Sequence, residues 1–154
     1  MLFDLRSKKG GRRTVKARDF FKGAFVTDMT EDELLTDILV PGMGKSVAAY
    51  YAFDQAASGY ALAGCCAVLL RKRATIAELT ISYTGLGDIA FVAQGFEAVV
   101  GTRGDADGVA AAATAALAAL DIPGDVHAPS GYRRHLAVVA AQRAIAQAYE
   151  RAGA

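Results

Sequence analysis

The sequence predicts an α+β fold, and three observations carry that prediction. Strand-like runs occupy residues 2–83, helix-like runs follow residue 85, and 154 residues that are 53% hydrophobic and 21% charged suffice for a sizeable core. Strands gathered first and helices second is the pattern of an α+β chain.

Residues 2–5 alternate, Gly10-Gly11 signals a turn and 13–17 alternate again, which predicts a hairpin. Phe20 and Phe21 shortly before Gly23 suggest a single helical turn that stops at once. Thr30 and Glu33 stand at capping-box spacing, with Thr30 accepting from the Glu33 amide and Glu33 reaching back. That box leads into a strand at 34–40, which Pro41-Gly42 ends. The Gly- and Pro-bearing stretch 41–45 is the best boundary, separating residues 1–44 from 45–154.

Beyond it, 46–53, 60–70 and 75–83 read as strands, the last two linked by Arg71-Lys72-Arg73-Ala74. Short links between successive strands predict a three-stranded antiparallel sheet. About three helices pack on it. Residues 91–100 form a short amphipathic helix ended by Gly101, and 108–120, nearly all Ala, Val and Leu, form a largely buried one. Ser130 caps the last, with Tyr132, Leu136, Val139, Ala140 and Ala144 on one face.

Composition excludes several kinds of function. No run approaches the roughly 18 apolar residues of a membrane span, and residues 1–9 lack a signal-peptide pattern, so no integral membrane segment and a cytoplasmic location are expected. The formal net charge is +1, although Arg6, Lys8, Lys9, Arg12, Arg13, Lys16, Arg18 and Lys22 crowd the beginning. No aromatic platform is interleaved with them, so they read as a solvated hairpin rather than a nucleic-acid surface. Cys65 and Cys66 are neighbours in a strand, point to opposite faces and read as inert thiols in a reducing compartment. Two cysteines cannot hold an iron–sulfur cluster, and His127 and His135 are too poorly accompanied for zinc, so no metal site is expected. No catalytic constellation emerges either. Ser130, His135 and Asp121 can be written as a triad, but Ser130 lacks a nucleophile-elbow context. Thr84-Gly85-Leu86-Gly87-Asp88 lacks the third glycine and the lysine of phosphate loops, and is better explained as a tight turn ending a strand.

Three phrases in fixed order, Ser58-Gly59-Tyr60-Ala61-Leu62-Ala63-Gly64, Tyr83-Thr84-Gly85-Leu86-Gly87-Asp88 and Ser130-Gly131-Tyr132-Arg133-Arg134-His135-Leu136-Ala137, carry a family resemblance. Together with Ala17-Arg18-Asp19-Phe20-Phe21 and Asp32-Glu33-Leu34-Leu35-Thr36-Asp37-Ile38, they resemble the second half of the medium, FAD-binding subunit of molybdenum hydroxylases, a xanthine dehydrogenase-like family typified by aerobic carbon monoxide dehydrogenase. The resemblance implies that residues 1–44 are a remnant of the mixed-sheet FAD subdomain and 45–154 a CO dehydrogenase flavoprotein C-terminal-like domain. It implies FAD as the cofactor of the complete subunit, with Tyr60, flanked by Gly59 and Ala61, against the isoalloxazine ring and Leu34 on the strand that approaches its dimethylbenzene side. No side chain here is then a general acid or base, and electrons pass from iron–sulfur clusters through FAD to an external acceptor. The implied partners are a molybdenum-binding large subunit and an iron–sulfur small subunit; for the other half of the FAD domain two alternatives stay open, a separate chain that supplies it or an internal start at Met1 in a shortened gene. The Gly-rich loops that hold the FAD pyrophosphate in this family precede the point matching Met1, so this chain alone is expected to be inactive and to bind FAD weakly or not at all. Ala52, Gln55 and Gly59 stand where many relatives carry Lys, Arg and Asp, and Ile89, Ala90 and Phe91 follow a turn after which relatives usually have Pro and Arg. The competing reading is a cofactor-free interaction module that has lost flavin binding.

Overall fold

A computed structural model describes residues 1–153, and the chain divides into two compact units, Met1–Gly44 and Lys45–Ala154. In the first, strands β1 (Leu2–Ser7) and β2 (Gly11–Lys16) form the hairpin, with Gly11 at φ +77° in the turn. A one-turn helix α1 (Ala17–Phe20), a small ribbon of β3 (Phe21–Gly23) and β4 (Val26–Thr27), and strand β5 (Glu33–Leu39) follow. The main sheet runs β2-β1-β5 and is antiparallel throughout. Phe3 and Leu5 on β1 meet Val15 and Phe20 in a small core, where the Phe3 and Phe20 rings lie 4.3 Å apart. On the opposite face the buried carboxylate of Asp4 accepts from Arg12 and from the Thr14 hydroxyl at 2.6 Å. The capping box is half realised: the Thr30 amide donates to Glu33 Oε2 at 2.9 Å, whereas the Glu33 amide goes to the Thr30 carbonyl and the Thr30 hydroxyl to Asp32. Strand β5 is unlike the others. It is a sheet edge, and Leu34, Leu35, Ile38 and Leu39 are all exposed.

The second unit begins with a long antiparallel meander of β6 (Val47–Asp54), β7 (Ala61–Lys72) and β8 (Thr75–Thr84), to which β9 (Phe91–Ala93) adds a fourth strand beside β8. The stretch 91–100, expected as a helix, is thus a strand followed by a 3-10 turn at Glu97–Val99. Pairing of Phe91 with Tyr83, Val92 with Ser82 and Ala93 with Ile81 outweighs its weak amphipathic pattern. Helix α2 (Ala106–Leu117) starts where the Asp105 carboxylate accepts from the Gly108 amide at 3.0 Å. It buries only Val109, Ala112, Ala113 and Leu117, so its alanines form one stripe rather than an all-round buried rod.

Helix α3 (Ser130–Arg151) packs on β6 and β7, and α2 packs along α3. Ser130 is already helical, Pro129 holds the cap position, and no side chain caps this end. The buried face of α3 is Arg133, Leu136, Ala137, Ala140, Ala141, Ala144, Ile145 and Ala148, a regular three-and-four spacing. Tyr132 falls outside it and is exposed. Ala63, Cys65, Ala67 and Leu69 of β7 face the same core. Small residues on both partners let helix and sheet backbones approach closely, where one added methylene would be felt. Cys65 and Cys66 are free and point to opposite faces, as the strand period requires. Burial pushes the Cys65 thiol up to about 12, so it is inert near neutral pH. Among the described residues no helix is long and apolar enough to cross a membrane, and no three His, Cys, Asp or Glu side chains converge as a metal site.

Candidate functional site

The three phrases read from the sequence meet at one corner of the second unit. The β6–β7 hairpin carries the first. Its loop is closed by Gln55, whose amide donates to the Tyr60 carbonyl at 2.8 Å and whose carbonyl accepts from the Gly59 amide at 2.8 Å. The Gln55 side-chain oxygen accepts from the Ser58 amide at 2.6 Å and the Ser58 hydroxyl at 2.7 Å, and that hydroxyl accepts from the Tyr60 amide at 3.3 Å. Gly59 at φ +71° makes the turn possible. The outcome is a stiff loop holding the Tyr60 ring 78% exposed, with Gly59 and Ala61 beside it.

The second phrase comes directly against the first. Strand β8 ends at Thr84, and Gly85, at φ +77°, passes so close to β7 that a methyl there would collide with the Ala61 carbonyl and lie 3.0 Å from the Leu62 carbonyl. Gly64 is similarly constrained, since an added Cβ would meet the Tyr50 hydroxyl at 2.5 Å and the Thr84 methyl at 2.9 Å. The third phrase supplies Arg133 from the first turn of α3. Its Nη1 donates to the Leu62 carbonyl at 2.9 Å and to the Gly85 carbonyl at 3.1 Å, its Nε to the Ala128 carbonyl at 3.3 Å, and its Nη2 to Asp125 at 2.5 Å. The Ala128 and His127 amides and Arg133 hold the Asp125 carboxyl below the usual aspartate range.

Gly59, Tyr60 and Ala61 therefore stand together on one hairpin. Leu34 belongs to the other unit, on β5, where it is 72% exposed. Sequence reasoning quoted Arg133 within its motif but gave it no role. The signal was present, because residue 133 continues the 136, 137, 140, 141, 144 spacing of a buried face. A charged residue at such a position needs partners, and here they are backbone carbonyls. The basic cluster at the beginning is in part consumed internally. Arg12 pairs with Asp4, Arg13 with Asp28 and Glu33, and Lys22 with Asp28.

Tyr60 is exposed at this corner, and the amides of Gln55, Ser58, Gly59 and Tyr60 are spent inside the loop. An exposed aromatic face is chemically compatible with stacking by a planar ring such as the isoalloxazine of FAD.

Residues 48–148 match the CO dehydrogenase flavoprotein C-terminal domain. The chain is 34% identical to the glyceraldehyde dehydrogenase medium chain of Sulfolobus acidocaldarius, over 90% of this chain and 50% of that protein. It is 29% identical to the carbon monoxide dehydrogenase medium chain of Hydrogenophaga pseudoflava, over 92% of this chain and 50% of that one. Among solved structures it is similar to quinoline 2-oxidoreductase from Pseudomonas putida 86, with a TM-score of 0.87 at 26% identity, covering 98% of this chain and 53% of that chain. It is also similar to CO dehydrogenase from Oligotropha carboxidovorans, with a TM-score of 0.81 at 29% identity, covering 97% and 53%. The chain spans about half the length of the curated relatives it matches. With its matched region covering the whole meander and most of α3, the chain belongs to the CO dehydrogenase flavoprotein C-terminal domain family.

Proposed function

We propose that this chain contributes the ring-facing part of the FAD site in the medium subunit of a molybdenum hydroxylase. The observation that carries this reading is Tyr60, an exposed aromatic ring on a hairpin whose own amides lock it in place. Tyr60, Gly59 and Ala61 would line one side of the isoalloxazine. When bound, FAD supplies the redox chemistry, accepting electrons from iron–sulfur clusters and releasing them to an external acceptor. The chain's own side chains orient and shield the ring and transfer no proton. In this reading a molybdenum-binding large subunit and an iron–sulfur small subunit are the partners, and the pyrophosphate contacts lie outside residues 1–154. Two free thiols accord with a reducing, cytoplasmic setting.

The exposed apolar edge of β5 supports pairing with the other half of the FAD domain, because an open edge bearing Leu34, Ile38 and Leu39 is a template for strand addition. The same edge favours the second reading, a cofactor-free interaction module. A flavin titration separates them. Saturable quenching of FAD fluorescence, in the presence of the amino-terminal half of a relative's medium chain and lost in Tyr60→Ala, is expected for the flavin site. Tight association with that half but no flavin uptake would favour the module.

A further inference from the structure

The geometry points to Arg133 as the positioning residue that fixes where Tyr60 stands, an inference that rests on the reading of Tyr60 as the flavin-facing residue. Beyond Gly64 and Thr84 the β7–β8 ladder ends, so Leu62, at the irregularity of the β6–β7 pairing, and Gly85 have no partner across that ladder. Leaving their carbonyls inside without donors is unfavourable, and a guanidinium is the one side chain with enough donors in a fixed plane to serve several at once. Arg133, only 8% exposed, bonds both of these carbonyls through one nitrogen and is itself oriented by the Ala128 carbonyl and Asp125. Asp125 is in turn fixed by the His127 and Ala128 amides, each donating at 2.9 Å.

The mechanical consequence runs along a short path. Leu62 lies two residues after Tyr60 at the foot of the hairpin, and Gly85 abuts Ala61 and Leu62. One buried cation on α3 therefore clamps the base of the loop from the helix side, while Gln55 and Ser58 tie its tip. With the base clamped, an exposed ring keeps a defined direction; with it released, the loop's internal bonds remain but the whole hairpin end can swing. Arg134, next in sequence, serves elsewhere, donating to the Leu117 carbonyl at the end of α2 and to the Leu120 carbonyl beyond it. The two arginines of the motif thus have separate tasks, and lysine is only a partial substitute at 133, since a single ammonium cannot reach four acceptors spread around a plane.

The test compares the full wild-type chain with Arg133→Lys, Arg133→Met and Asp125→Asn by amide hydrogen exchange, reading residues 55–64 against 140–148. Positioning predicts exchange in 55–64 faster by roughly tenfold or more in Arg133→Met, with partial rescue in Arg133→Lys, a smaller increase in Asp125→Asn, and little change at 140–148. Uniform acceleration everywhere, or a lowered melting temperature with 55–64 unchanged, would reduce Arg133 to a general stabiliser and overturn the proposal. If Arg133→Met does not fold, Arg133→Lys and Asp125→Asn carry the same comparison. FAD quenching with the amino-terminal half supplied in trans is measured on the same variants. Faster exchange at the hairpin with unaltered FAD affinity would uphold the clamp and remove the flavin reading.

Discussion

The two units of this chain solve the problem of burial differently. The second encloses a continuous core from Ala49 on β6 to Ala148 on α3, built largely from small residues that mesh sheet and helix. The first buries four apolar side chains, Phe3, Leu5, Val15 and Phe20, and holds its hairpin and turns with ion pairs at Asp4, Asp28 and Glu33. It leaves Leu34, Leu35, Ile38, Leu39 and Val40 uncovered. A unit that hides its apolar residues keeps few of them at its surface, whereas one that displays them on an edge strand leaves that edge open to pairing. The flavin-facing ring proposed here stands on the second unit, and the edge proposed for pairing stands on the first.

The largest expected effect breaks the second unit. Ile145→Ala removes a fully buried side chain from the core face of α3 and should destabilise by about 2–5 kcal/mol, read as a lower urea midpoint of the helical circular dichroism signal. Gly64→Ala follows, at about 1–3 kcal/mol, because the new methyl must displace the Tyr50 ring or the Thr84 methyl; Tyr50→Ala should rescue it in part. A double-mutant cycle checks that coupling, and strict additivity would contradict the geometry.

The first unit breaks under milder conditions. Arg13 and the Thr30 amide hold the Glu33 carboxyl at about 2, well below its ordinary 4.5, and Arg13, with Lys22, lowers Asp28 as well. Groups that bind fewer protons folded than unfolded stabilise above the unfolded value and lose that contribution as pH falls, so protection of residues 2–16 should decline between about pH 4.5 and 2 while 140–148 stay protected. Arg13→Gln should flatten this dependence. Placing Lys at Leu34 and Ile38 should suppress concentration-dependent association in sedimentation with little change in the helical signal. The smallest effect belongs to Tyr60→Ala. An exposed ring with no core contact should alter unfolding by no more than about 0.5 kcal/mol, which marks it as a residue kept for something other than stability.

The sequence showed the α+β order and the meander because alternation, Gly turns and short links are local signals. It misplaced 91–100, where strand pairing of 91–93 with β8 decided the outcome, a pairing between residues eight to twelve positions apart. It read 108–120 as largely buried, where one stripe is, because alanine carries little polarity to reveal which face turns in. At the site, Tyr60 and its neighbours were legible through the motif, but Arg133 was not. Its role depends on carbonyls 48 and 71 residues distant, and hydrophobic periodicity assigns no value to a buried cation.

The central claim, that Tyr60 faces a flavin, is tested most directly by titrating FAD into the chain assembled with the amino-terminal half of the Hydrogenophaga medium chain, wild type against Tyr60→Ala and Tyr60→Phe. The account predicts saturable quenching in wild type, near-wild-type behaviour in Tyr60→Phe, which keeps the ring, and clearly weakened or altered quenching in Tyr60→Ala. Indistinguishable titrations for wild type and Tyr60→Ala, or an assembled pair that takes up no FAD at all, would contradict it.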